Sequence, residues 1–178
     1  MTILVAYASR YGATQETAER IAETLRAAGQ DVVVKPMKAA GDPASYDAVV
    51  LGSAVYYGSW LKEATAFVRR HHTLLASRPV WLFSSGPIGP ATADDQGQDL
   101  RTGAEPRQIA EFAESIRPRD NRVFFGKLDR GRLGFLDRLV ASMPAFPGAE
   151  GDFRDWAEIE AWANAIAREL ASAPVGGR

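Results

Sequence analysis

Apolar residues along this chain fall into two kinds of run. Short unbroken runs, Ile3–Ala8, Val32–Val34, Ala48–Gly52, Val80–Phe83 and Val123–Phe125, show no alternation of polar and apolar positions. A strand buried on both faces reads this way, so these runs predict a parallel sheet covered on each side. Between them the apolar positions recur at helical spacing. Ala18, Ile21, Ala22 and Leu25 share one face of a helix over Thr14–Ala28 that stops at Gly29. Leu61, Ala64 and Val68 mark a second helix, from Trp60 to about His72. Ile109, Phe112, Ala113 and Ile116 mark a third over Pro106–Ile116, with proline in a first turn that has no amide bond to lose. Trp156, Ile159, Ala163, Ile166 and Leu170 stripe a last helix, about Asp155–Ala171, fit to seal a sheet face.

This alternation of strand and helix predicts an α/β fold, a doubly wound three-layer sandwich. The 178 residues suit one domain, residues 1–172, with residues 173–178 as a flexible tail. Two segments stand outside the alternation. Pro90–Glu105 is rich in Gly, Asp, Thr and Ala without an apolar period, so it is either a lid or a mobile loop. Its acids Asp94, Asp95 and Asp99 read as solvated. Lys127–Gly151 holds a short stripe of Leu133, Leu136, Leu139, Val140 and Met143 beside Arg130, Arg132 and Arg138. Such a stripe is either ordinary core packing or a contact with a membrane or a lipid-soluble substrate.

Charge and composition narrow the chemistry. Lys plus Arg at 21 nearly balances Asp plus Glu at 22, so nothing in the global charge points to nucleic acid or an anionic membrane. The chain has no cysteine, which excludes thiol redox chemistry, disulfides and thiolate-held metals; any redox chemistry has to come from a bound cofactor. His71 and His72 are adjacent and so face different sides of a helix, which leaves no metal site in view. Trp81 and Trp162 read as core residues. No signal sequence and no membrane-spanning run is present, and a cytoplasmic protein is expected.

In a parallel sheet the loops at the carboxyl ends of the strands carry the ligand. After the first strand comes Ser9-Arg10-Tyr11-Gly12-Ala13-Thr14, hydroxyls and a glycine at the mouth of a helix, a place where free amides and the helix dipole attract a phosphate. It is neither G-x-x-x-x-G-K-[ST] nor G-x-G-x-x-G, so it indicates neither a nucleoside triphosphate cradle nor a dinucleotide fingerprint. After the third strand comes Ser53-Ala54-Val55-Tyr56-Tyr57-Gly58, and after the fourth Ser84-Ser85-Gly86-Pro87-Ile88-Gly89. Aromatic rings beside close-packed small residues suit a flat, polar-edged ring tethered to a phosphate, and flavin mononucleotide (FMN) meets all three demands.

These motifs resemble flavodoxin-like proteins: Ser9-x-x-Gly12-x-Thr14, Gly52-Ser53 running into Tyr57-Gly58, and Phe83-Ser84-Ser85-Gly86-Pro87. Within that family the chain is most similar to the menaquinone-dependent protoporphyrinogen oxidase branch, through Arg10 in the phosphate loop, Gly126-Lys127-Leu128, Asp137-Arg138 and Asp155-Trp156. The resemblance implies a five-stranded parallel sheet in the order 2-1-3-4-5. It implies FMN phosphate on Ser9–Thr14 and the flavin ring between the Tyr56–Trp60 and Ser84–Gly89 loops, stacked on Tyr57 or Tyr56. Trp60, at the start of the second helix, is then a packing residue. The aspartates of Pro90–Glu105 depart from the basic character of that region in the branch, which speaks against a carboxylate-bearing porphyrin as substrate.

Three functions follow from these residues. The first is an FMN oxidoreductase passing electrons from a small-molecule donor to a quinone-like acceptor, with no side-chain acid or base compelled. The second is an electron carrier between redox protein partners, which a net charge of −1 disfavours because such carriers use strongly acidic surfaces. The third is a scaffold of the same fold without flavin, against which the undamaged phosphate loop stands.

Overall fold

In β1 (Thr2–Ala8) neighbouring side chains are apolar on both faces of the strand. Ile3 and Val5 join one buried cluster, Leu4 and Ala6 another, and all four are fully buried. A strand of this kind needs a cover on each side. The structure, a computed structural model, describes residues 1–134 and 150–172 and supplies both covers. On one face, Ile21 and Leu25 of α1 (Ala13–Ala27) and Ile159, Trp162, Ile166 and Leu170 of the last helix pack with Trp81, Phe83 and Phe124. On the other, Phe67 and Val68 of α2 (Lys62–Leu75) and Phe112 of α3 (Gln108–Ser115) pack with Leu51 and Leu82. The last helix, α4, spans Trp156–Ser172.

Between these layers β1 pairs in parallel with β2 (Asp31–Pro36) and β3 (Ala48–Tyr56). A two-residue strand β4 (Ser59–Trp60) follows β3, and the sheet continues through β5 (Val80–Ser85) to β6 (Asp120–Phe124). The order is β2-β1-β3-β5-β6, so the five long strands take the expected 2-1-3-4-5 arrangement. Register levels their carboxyl ends: Ala8 lies beside Ser53, Ser53 beside Ser84, and Ser84 beside Val123. Loops leaving β1, β3 and β5 therefore emerge side by side where the strand order reverses. A separate antiparallel pair, β7 (Lys127–Leu128) and β8 (Gly151–Asp152), sits outside the sheet.

Three features depart from the sequence expectations. β3 runs past Gly52 to Tyr56 because Tyr57 and Gly58, both at positive φ (51° and 70°), turn the chain back and pair Val55 with Trp60 and Tyr56 with Ser59. Paired left-handed residues match the twist of a two-residue hairpin. Trp60 consequently belongs to β4 and not to a helix start, and α2 begins at Lys62. β6 starts at polar Asp120, Asn121 and Arg122, because an edge strand keeps contact with water and does not need a continuous apolar run.

Trp81 and Trp162 are core residues, 1% and 6% exposed, and the Trp162 indole donates to Asp120 Oδ2 at 2.8 Å. Among the described residues no cluster of His, Cys, Asp and Glu could hold a metal, and no helix is long and apolar enough to cross a membrane. Leu136, Asp137, Arg138, Leu139, Val140, Met143 and the tail 173–178 lie outside the described residues.

Candidate cofactor site

The carboxyl ends of the strands open onto a cavity of about 360 Å³ with four walls. The first is the β1–α1 turn. Gly12 takes φ +92° and donates its amide to Ser9 Oγ at 3.0 Å, so the turn is closed by a side chain. No side chain caps α1, which leaves its first amides without intrahelical partners. Ser9, Arg10, Tyr11, Ala13 and Thr14 line the cavity. Thr14 is 1% exposed, and among the described residues its hydroxyl has no hydrogen-bond partner. Hydroxyls and uncapped helix amides thus open on one cavity, and the oxygens of a phosphate fit that donor set.

The second wall is the end of β3, with Ala54, Val55, Tyr56 and Tyr57 on the cavity. Arg10 lies between two rings, 5.4 Å from the Tyr56 centroid and 5.6 Å from that of Tyr11. Tyr57 stands at the mouth, 81% exposed. Ser53 is fully buried instead: its hydroxyl accepts the Leu61 amide at 3.1 Å and donates to Ala54 O at 2.9 Å, fixing the hairpin from below. Gly58 faces away and its carbonyl accepts the Arg107 amide at 3.0 Å.

The third wall is the end of β5, where Ser85, Gly86 and Ile88 reach the cavity. Ser84 is buried and accepts the Trp60 indole N–H at 2.8 Å, tying β5 to the hairpin. The carbonyl of Pro87 accepts the Gly126 amide at 2.8 Å, and Gly89 lies off the cavity. Glycine at position 52 serves a further purpose. A Cβ there would stand 1.9 Å from the Phe83 ring, so the ring packs directly on bare backbone beneath the site.

The fourth wall is a strap, Gly126–Leu133, that sequence reasoning did not place at the site. Leu128 and Leu133 are buried against Tyr11 and Ile88, and the Tyr11 hydroxyl accepts the Gly134 amide at 3.2 Å. Gly126, Lys127, Asp129 and Arg132 complete the lining. A partial signal was present, since Lys127–Gly151 interrupts the α/β alternation and contains the stripe residue Leu133.

Charges concentrate where strap and phosphate loop meet. Glu16, in the first turn of α1, faces Lys127 and Arg132 at 3.5 Å each and Arg154 at 2.7 Å. The side chain of Arg154 is 1% exposed; it also binds Asp152 and donates to Ala13 O at 3.1 Å, so it joins β8 to the start of α1. Burial alone would raise the pKa of Glu16, but the Arg154 hydrogen bond and charge, with Lys127, outweigh it and hold the carboxyl below its ordinary range. The hydrogen bond from Arg154 does the same for Asp152.

The Pro90–Glu105 segment does not border this cavity. Asp94 Oδ1 accepts the amides of Gln96 and Gln98, and Arg101 ion-pairs with Asp99 and with Glu158 of α4 at 2.6 Å each. Asp94 is thus spent within its own loop, and Asp99 holds the arginine that ties the segment to the last helix. The chain bordering the cavity on that side is the Lys127–Arg132 strap.

Comparisons with known proteins agree with this geometry. Protoporphyrinogen IX dehydrogenase [quinone] of Escherichia coli K12 is 26% identical over 176 residues, covering 94% of this chain and 95% of that protein. A flavodoxin from the Archaea matches at TM-score 0.61 and 20% identity, covering 96% of this chain and 99% of that one. Rubredoxin oxygen:oxidoreductase of Desulfovibrio gigas matches at TM-score 0.60 and 16% identity; this chain covers only 36% of that larger one. These structural likenesses establish the fold. A model of the flavodoxin domain matches residues 4–151, and the chain belongs to that family, whose cofactor is FMN.

Proposed function

We propose that this protein is an FMN-dependent oxidoreductase that takes electrons from a reduced small-molecule substrate and delivers them to a quinone-like acceptor. The observation that carries this reading is the character of the cavity lining. It combines apolar side chains such as Tyr57, Ile88 and Leu133 with the cations Arg10, Lys127 and Arg132, and Asp129 is the one acid among its described residues. An apolar, cationic lining suits a flat anionic or uncharged molecule. It does not suit a basic redox protein of the kind that docks on an acidic rim.

Bound FMN supplies the step that accepts electrons from one partner and releases them to another. The rest of the reading concerns this chain's own groups. The uncapped amides of α1, Ser9 and Thr14 hold the phosphate. Tyr56, Tyr57 and the Ser85–Ile88 backbone flank the flavin ring, while Leu128 and Leu133 exclude water from one side. Arg10, fixed between Tyr11 and Tyr56, keeps a positive charge beside the place where electrons arrive. Protoporphyrinogen IX, named for the E. coli relative, is the first substrate to try, since its propionates match cations of the lining such as Arg10.

The test is anaerobic stopped-flow on the FMN-loaded protein, first with protoporphyrinogen IX as donor and then with a menaquinone analogue as acceptor. Bleaching by the donor and recovery with the quinone, with no added protein, support the reading. A loaded protein that exchanges electrons only with another redox protein would assign it to the carriers.

A further inference from the structure

The strap places a guanidinium on the phosphate loop. Arg132 Nη1 lies 3.5 Å from Glu16 Oε1, and a Cβ built on Gly12 would stand 3.2 Å from that same nitrogen. The Arg132 side chain is 56% exposed and borders the cavity, so only the side chain has to move to meet a ligand there. The α1 N-terminus alone would not identify a ligand, but Arg132 lines the same cavity as Ser9 and Thr14, so a guanidinium and two hydroxyls share the space in front of those amides. We propose that Arg132 is a strap-borne charge partner of the FMN phosphate, so that loading the cofactor fastens the Lys127–Leu133 strap over the cavity.

The inference rests on the FMN reading above and adds a residue that neither loop motif nor family membership assigns. Chemistry favours it. A phosphate bound beside Glu16 would repel that carboxylate, and Glu16 is already matched by Lys127 and the buried Arg154. Arg132 is the exposed member of the trio, held by Glu16 at 3.5 Å and by Asp129 at 3.7 Å, distances that cost little to give up for the bidentate contact a phosphate offers. Leu128 and Leu133, already packed on Tyr11 and Ile88, would be held there by the same contact.

Riboflavin, which has the ring and lacks the phosphate, isolates the claim. Titrations of apoprotein with FMN and with riboflavin are compared for the native protein, R132Q and R132K. We expect R132Q to bind FMN about tenfold more weakly with riboflavin binding unchanged, R132K to recover the charge-dependent part of the loss but not the bidentate part, and the salt dependence of FMN binding to shrink in R132Q. FMN, but not riboflavin, should slow tryptic cleavage after Lys127 and Arg132 in the native protein. Equal FMN affinity in native protein and R132Q, or an equal loss for both flavins, overturns the role of Arg132. Failure of the native protein to bind either flavin overturns the FMN reading itself.

Discussion

The wall formed by the strand ends and the wall formed by the strap face the same cavity but are held by different forces. The strand ends are fixed by parallel ladders in register and by buried hydrogen bonds, Trp60 to Ser84 and Leu61 to Ser53, with Phe83 packed on Gly52 beneath them. The strap has a two-residue strand pair, two buried leucines and a set of ion pairs, most of whose members are a quarter to a half exposed. Burial-dominated contacts form and break with the whole domain, whereas ion pairs in water contribute little each and yield locally. A site with one immovable wall and one fastened wall can hold a ring in fixed orientation and still admit a second molecule.

The largest effect is expected from breaking the fixed wall. Gly52→Ala would place a methyl inside the Phe83 ring, and overpacking at a fully buried ladder position should cost about 3 kcal/mol. Chemical denaturation of the apoprotein measures it, and G52A/F83L should regain part of the loss by opening the space the ring occupies. A G52A protein as stable as the native one would mean that this wall is softer than its packing implies.

Breaking the fastened wall at its buried member comes next. Arg154→Met removes hydrogen bonds to Glu16, Asp152 and Ala13 O, and because both carboxylates are partly solvated the cost should be about 2 kcal/mol, below the range for a fully buried pair. The pH dependence fixes the cause. Glu16 and Asp152 have depressed pKa values, so their contribution is present above the ordinary carboxylate range and is lost as pH falls through the folded values. The native protein should therefore lose stability on acidification below about pH 4.5, and R154M should lose less over the same interval. Parallel acid limbs for the two proteins would count against the ion-pair account.

The two walls were unequally legible in the sequence. Unbroken apolar runs and helical stripes gave the sheet, its covers and the loops that leave β1, β3 and β5, because each depends on neighbours within a few residues. The hairpin at Tyr57-Gly58 is hidden because Trp60 stands at helical spacing from Ala64 and Val68; the turn signal is a glycine in a pair that takes positive φ. Ser53 and Ser84 stand in the loop motifs but are buried, and their hydroxyls accept the Leu61 amide and the Trp60 indole, contacts that depend on the hairpin and that no local spacing announces. The strap was illegible for another reason. Lys127 meets Glu16 across 111 residues of chain, and no local pattern encodes that distance.

Within the fixed wall, Thr14→Val separates folding from binding. The hydroxyl has no partner among the described residues, so the isosteric change should leave apoprotein stability nearly unaltered. Loss of a hydrogen bond to a charged phosphate should weaken FMN binding by about 1.5 kcal/mol, roughly tenfold, and leave riboflavin binding as it was. Equal FMN affinity by titration would move the phosphate away from this turn.

Tyr57 gives the smallest expected effect and the sharpest contrast with Thr14 and Arg132. It holds a left-handed backbone at φ 51° with its ring 81% exposed, an arrangement in which the free protein accepts strain and gains little packing. Asparagine tolerates that conformation better, so Tyr57→Asn should raise apoprotein stability by about 0.5 kcal/mol. If the ring is kept for stacking on flavin, the same change should weaken FMN and riboflavin binding equally, by about 1 kcal/mol, since a stacked ring senses no phosphate. Thermal melting of the apoprotein and paired titrations read the two effects separately. A Y57N protein that binds both flavins as the native one does would return the stacking role to Tyr56, whose ring is already engaged by Arg10.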